Sequence, residues 1–249
     1  MGIPVHLRPM NDSASTSLIT QQQVLDGQVF VIDKPLEWTS FDVIGKLRKI
    51  FKIKKIGHAG TLDPLATGVL IVCTGKFTKK INEYMGMEKE YTGTITLGAA
   101  TPTYDLESTP IPVGSIEAIT LEKAQTVANT FTGVIQQIPP AHSAIKIDGK
   151  RVYELARQGK EVKLDPRTVT VNVFELTDWQ PPVLSFRVVC STGTYIRSLA
   201  NDLGAALGCG GYLSALCRTR IGEFGIEQAL QVTDVEERFD KESIQPKMK

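Results

Sequence analysis

GHAGTLDPLATGVL, residues 57–70, is the stretch around which this chain is organised. It carries one histidine, three glycines, one proline and a single carboxylate, Asp63. Proline confines the residue before it to extended or turn backbone, so Asp63 is expected in a fixed, non-helical conformation. Glycines on either side permit unusual backbone angles and close approach of another segment or a ligand. The apolar run Val69–Cys73 that follows reads as a buried strand. Asp63 is therefore expected on a tight loop anchored by that strand. Taken alone, an Asp-Pro in a glycine-rich stretch is turn chemistry, its carboxylate bonding nearby amides. The spaced glycines ending in Gly-Lys-Ser/Thr that would cradle a phosphate are absent.

Outward from the loop, charge is unevenly placed. Lys46, Arg48, Lys49, Lys52, Lys54 and Lys55 precede it, and Lys76, Lys79 and Lys80 follow. A further set, Lys146, Lys150, Arg151, Arg157, Lys160, Lys163 and Arg167, lies mid-chain, and Asp234–Glu242 is acidic. The net charge of +1 hides this. One basic run is usually a solvated face. Two such runs bracketing one candidate loop favour a phosphate-rich substrate. The 249 residues, 42% hydrophobic and 22% charged, suit an ordinary soluble protein of one large or two small domains. No apolar run approaches the roughly 20 residues that cross a bilayer. The N-terminus lacks the features of a signal peptide, which makes cytoplasmic residence the default. Cys73, Cys190, Cys209 and Cys217 lack metal-ligand spacing and read as reduced thiols, three in apolar surroundings. His6, His58 and His142 are far apart, and nothing suggests a metal.

Residues 1–24 are polar and read as a poorly ordered leader. Gln28–Asp33 reads as a strand ended by Lys34-Pro35. Thr39 and Asp42 form a capping-box pair for a helix striped by Ile44, Leu47, Ile50 and Phe51. Lys89–Leu97 alternates as a strand, and Leu121–Phe131 reads as a helix capped by Thr120. Val134–Ile138 is a strand stopped by Pro139-Pro140. Residues 139–165 form a proline-led, basic excursion unlike core. Thr168–Leu176 and Leu184–Cys190 pair as a hairpin, Thr194 can cap a helix through Ala206, and Gly211–Arg220 is the last strand. Strands and helices mix without a βαβ rhythm, which gives α+β with a mixed, largely antiparallel central sheet flanked by helices.

Six collinear segments together resemble the TruB family of tRNA pseudouridine(55) synthases: DKPLEWTS (33–40), GHAGTLDPLATGVL, KEYTGTITLG (89–98), PPAHSAIKIDGKRVYELARQGKEV (139–162), STGTYIRSLANDLG (191–204) and LSALCRTRIGEF (213–224). The resemblance implies the pseudouridine synthase fold. It also implies a cofactor-free, metal-free isomerisation of uridine in the T-loop of tRNA. The N1–C1′ bond breaks, uracil turns within the pocket, and C5 bonds to C1′. The base must first leave its stack, at a cost of a few kcal/mol.

By motif position the resemblance makes Asp63 the nucleophilic aspartate, acting at C6 of uracil or at C1′ of ribose. Tyr91 matches the tyrosine that stacks on the target base, and Arg197 the arginine that pairs with the aspartate. Tyr195, Leu216 and His58 match substrate-contacting positions. Taken singly, Tyr91 would be a sheet residue, Leu216 core, His58 a loop histidine and Arg197 a helical surface charge. Residues 139–165 match an RNA-gripping thumb, so Lys146, Lys150, Arg151 and Arg157, with Lys34, Lys54 and Lys55, are expected on phosphates. Domain limits follow: a leader to residue 24, a catalytic domain over 25–226 and a short helical tail over 227–249, too short for the PUA domain many relatives carry. Departures stand at Glu37, where the family usually has glycine, and at Pro102 and Tyr104, where it often has aspartate; Thr101, Thr103 and Asp105 fit. The expected partner is the tRNA T-arm, with no membrane contact and a monomer as the simplest assembly. Two rival readings are a tRNA-folding factor acting on the T-arm without catalysis, and a sugar-phosphate enzyme acting on nucleotides without RNA.

Overall fold

The computed structural model describes residues 18–140, 146–147, 150–151 and 164–244. In chain order the helices are α1 (Gln21–Asp26), α2 (Ser40–Phe51), α3 (Ile81–Gly86), α4 (Leu121–Ala128), α5 (Ile196–Ala206) and α6 (Val232–Arg238). The strands are β1 (Val29–Lys34), β2 (Ile56–Ala59), β3 (Ala66–Thr74), β4 (Lys89–Leu97), β5 (Ala99–Ala100), β6 (Ile111–Pro112), β7 (Gly133–Gln137), β8 (Lys146–Ile147), β9 (Lys150–Arg151), β10 (Arg167–Gln180), β11 (Val183–Cys190), β12 (Gly211–Ile221) and β13 (Phe224–Gly225). The chain forms two compact units, one of residues up to Lys89 and from Cys217 onward, the other of Glu90–Leu216.

In the first unit β1 and β3 run antiparallel, with Ile32 opposite Leu70 and Lys34 opposite Gly68. β2 pairs with the other edge of β3, His58 opposite Val72. Both faces of this ladder are buried, which is why Val69–Cys73 is apolar without a polar alternate. Phe30, Ile32, Leu70 and Val72 face one core with α2, where Val43, Leu47 and Phe51 form the inward stripe. Val29, Val31, Val69 and Ile71 face a second core with Tyr84 and Phe224. Each large side chain so buried contributes about 1.5–3 kcal/mol. The capping box at the start of α2 forms as its sequence predicts, with Thr39 and Asp42 each accepting from the other's backbone N–H.

A leader extending to residue 24 is too long. Residues 1–17 lie outside the described residues, but Thr20 and Gln23 close a capping box on α1, and Ile19 and Val24 are core. The segment read as a C-terminal tail is likewise built in: Leu230, Val232, Val235 and Phe239 belong to the core that holds α2.

In the second unit the strand order is β12–β4–β11–β10–β7, with β10 antiparallel to both β11 and β7. The β10–β11 hairpin turns at Pro181-Pro182, so both strands run further than their alternation suggests. α4 packs along β10: Gln125 donates to Phe174 O at 2.9 Å and accepts from Leu176 N at 2.7 Å. Thr194 is not the cap of α5. Its hydroxyl donates to Ser191 O at 3.0 Å, while Gln137 of β7 accepts from Tyr195 N at 2.8 Å and donates to Tyr195 O at 3.1 Å. The sheet and its helices make the α+β architecture expected from the sequence. Of the excursion over 139–165, the described residues are its two ends, 139–140 and 164–165, and the short antiparallel pair β8–β9. No helix among the described residues is long and apolar enough to cross a membrane.

Candidate active site

Asp63 lies on the turn between β2 and β3, half-buried, and Asp63 O accepts from Ala66 N at 3.1 Å. Its neighbours on the chain are held from outside the loop. Ser40 Oγ, buried in the first turn of α2, accepts from Leu62 N at 2.8 Å and donates to Leu62 O at 3.2 Å. Pro64 O accepts from Glu37 N at 2.9 Å and from Lys34 Nζ at 3.3 Å. Beyond the turn, Gly68 N donates to Asp33 Oδ1 at 3.1 Å. The backbone on both sides of Asp63 is thus fixed by one other stretch, residues 33–40, more restraint than an ordinary Asp-Pro turn supplies.

Lys34 is where the structure corrects the sequence. It was expected on an RNA phosphate, yet its side chain is fully buried, and its ammonium donates to the carbonyls of Trp38 at 2.5 Å, Pro35 at 2.9 Å and Pro64 at 3.3 Å. It cannot also neutralise a phosphate in solvent. Burial pushes its pKa down to about 8, and the negative charge of Asp63 opposes that fall while Arg218 adds to it. Near neutral pH Lys34 is a mostly charged ammonium that senses Asp63.

His58, on β2, is half-buried, and its Nδ1 is buried without a hydrogen-bond partner. Burial and the charge of Arg218 lower its pKa, partly offset by a hydrogen bond with the backbone of Gly60, so the imidazole is neutral at pH 7. Lys54 and Lys55, between α2 and β2, are exposed, as a phosphate contact requires. Lys46 is instead held by Glu236 of α6 at 2.6 Å.

The second unit carries the other expected residues. Tyr91 is buried on β4, not on a solvent-facing sheet surface. Arg197, in the first turn of α5, is buried, and its Nη1 lies 3.4 Å from Asp105 Oδ2 and donates to Thr103 O at 3.3 Å. Asp105, Thr101 and Thr103 are buried. Tyr195, the N-cap residue of α5, and Leu216 on β12 are half-buried, so Leu216 is not simply core. Lys146, Lys150 and Arg151 are described as backbone in β8 and β9; Arg157 lies outside the described residues.

Sequence reasoning missed Ser40 and Arg218. Arg218 Nε donates to Val69 O at 2.7 Å and its Nη2 to Gly60 O at 3.1 Å, from a buried position on β12. The one available signal was position: both residues stand inside segments that resemble the family, but an Arg in an alternating strand reads as solvent-facing.

Two family profiles match the chain: the N-terminal domain of the TruB family pseudouridylate synthases over residues 48–196, and the C-terminal domain of tRNA pseudouridylate synthase B over residues 197–247. The tRNA pseudouridine synthase B of Bacteroides fragilis is 50% identical over 226 residues, covering 88% of this chain and 97% of that protein. That of Parabacteroides distasonis is 49% identical over 221 residues, covering 86% and 94%. Among solved structures, a Cbf5–Nop10–Gar1 complex matches with a TM-score of 0.67 at 28% identity, over 95% of this chain and 64% of that one. An H/ACA RNP bound to a substrate RNA containing 2′-deoxyuridine matches at 0.64 and 27% identity, over 93% and 61%. This chain therefore spans a little over three-fifths of those two structural neighbours. A family profile over more than half of the chain, and relatives at half identity over nearly their whole length, place it in the TruB family of pseudouridylate synthases.

Proposed function

We propose that this chain isomerises uridine to pseudouridine at position 55 in the T-loop of tRNA. The observation that carries the reading is the restraint on Asp63: a half-buried carboxylate whose flanking backbone is bound by Ser40, Lys34 and Glu37. A nucleophile gains from such preorganisation, because small displacements of a reacting group cost large factors in rate. The relatives' shared name, tRNA pseudouridine synthase B, supports the same substrate class.

In the proposed reaction the target base leaves its stack and enters the pocket. Asp63 acts on the sugar or the base as the N1–C1′ bond breaks. Uracil turns, C5 bonds to C1′, the proton on C5 departs and N1 gains one, so the product is an isomer. Tyr91 stacks on the base, Arg197 pairs with Asp63 and keeps it ionised, and Tyr195, Leu216 and His58 contact the substrate. A buried Arg197 already anchored by Asp105 suits that role, since its guanidinium is held in place before substrate arrives. Lys54 and Lys55, with Lys146, Lys150, Arg151 and Arg157 of the thumb, neutralise phosphates of the T-arm. The reaction takes no cofactor or metal, and the enzyme acts as a monomer in the cytoplasm.

The test is incubation of the purified protein with unmodified tRNA, an isolated T-arm stem-loop and uridine monophosphate, mapping pseudouridine by nucleotide. Pseudouridine at position 55 in both RNAs and none from the nucleotide is expected. Tight RNA binding without conversion would favour a folding factor instead, and conversion of the free nucleotide would favour a sugar-phosphate enzyme.

A further inference from the structure

Arg218 has no part in the chemistry above, yet it is the largest fully buried side chain among the described residues, only 2% exposed. Its two hydrogen bonds go to Gly60 O and Val69 O, one before Asp63 in the chain and one after it. The guanidinium therefore spans the segment that carries the carboxylate, tying the end of β2 to the start of β3. Its backbone is equally involved. A Cβ on Gly68 would stand 2.3 Å from Arg218 O and 2.8 Å from Arg218 N, and Gly68 has a φ of +99°, so only glycine lets β3 approach β12 this closely. Two glycines of the loop motif, Gly60 and Gly68, are thus matched to this one arginine. The charge of Arg218 also reaches His58 on β2 and Lys34, whose ammonium donates to Pro64 O.

We infer that Arg218 is a positioning residue for pseudouridine formation, its guanidinium stapling the two arms of the Asp63 loop so that the carboxylate is held at the reacting geometry. The inference rests on the function proposed above. A planar fork with donors in two directions suits two separate carbonyls; an ammonium on a flexible stem is a single point of attachment. Both hydrogen bonds of Arg218 go to backbone carbonyls of the Asp63 loop and its side chain is buried, so it acts through Asp63.

The staple makes a prediction that simple structural support does not. Arg218→Lys and Arg218→Gln are compared with wild type in single-turnover conversion of tRNA, with enzyme in excess, alongside the Kd for tRNA and thermal unfolding. The amplitude reports the folded fraction, whereas the rate constant belongs to the folded molecules alone, so a partly folded variant still reports. The expected result is a rate constant lower by about tenfold or more in both variants, with Kd within about threefold of wild type. A wild-type rate constant in either variant, with loss confined to amplitude or melting temperature, would overturn the inference, as would a loss confined to Kd. Failure of wild type to form pseudouridine would instead overturn the function itself, so the two failures are distinct.

Discussion

Lys34 and Glu37 illustrate how residues of one short motif are bent to the needs of a loop that follows much later in the chain. Lys34 Nζ and Glu37 N both donate to Pro64 O, the residue after Asp63. Glu37 does so from a left-handed backbone, φ +66°, which costs a side-chain-bearing residue about 1–2 kcal/mol. Tyr104, φ +64°, shows the same conformation. At both positions the resemblance led to an expectation of another residue, glycine or aspartate, and these tolerate that geometry better. The departures were legible; their common backbone cause was not, because residue identity does not print φ. Burial of Lys34 was equally hidden, since a lysine at the end of a strand, before a proline, reads as surface. Its lowered pKa has a testable sign. The unfolded chain keeps the Lys34 proton up to about 10.5, whereas the native state releases it near 8, so native stability gains from this group as pH rises through that window. The unfolding free energy of wild type relative to Lys34→Met should therefore increase between pH 7.5 and 10, measured by denaturant titration. A difference that stays flat would mean that Lys34 is not buried as described.

At the scale of elements, the strand β3, the helix α2 and its capping box were legible because each signal is local: an apolar run, a 3.6-residue stripe, a Thr and an Asp three apart. The start of α5 was not, because its cap comes from a distant strand. Gln137 is 2% exposed and makes both of its bonds to the backbone of Tyr195, two residues before Arg197. Replacing it with alanine removes a donor and an acceptor from a buried helix start, at a cost of about 1–3 kcal/mol. Gln137→Ala should lower the melting temperature and also the single-turnover rate, because Arg197 is carried on the first turn of that helix. Unchanged unfolding and turnover in this variant would show that α5 starts without Gln137. β12 holds the same lesson. Arg218 and Arg220 share one parity of the strand, yet one is buried on two carbonyls while the other is half-exposed and meets Glu88 at 3.0 Å. Alternation tells which side chains share a face, not which face is covered.

For the whole molecule, composition and mixed periodicity pointed correctly to α+β, while the division into two units and the strand order depend on long-range pairings that no local pattern encodes. Net charge was uninformative, because an acidic C-terminal segment balances the basic runs; Lys46–Glu236 is one place where they meet. The basic residues that stay in water are the ones available to RNA. Lys54→Ala and Lys55→Ala should each weaken tRNA binding and flatten the plot of log K against log salt by up to about 1, leaving the single-turnover rate at saturation unchanged. An unaltered slope in both would remove these lysines from the RNA-binding surface. The central claim remains that Asp63 performs the chemistry while other residues position it. Its most direct test is pseudouridine formation at position 55 by Asp63→Asn under single-turnover conditions, with tRNA binding measured in parallel. The account predicts no product above background and a Kd close to that of wild type; turnover at the wild-type rate would contradict it.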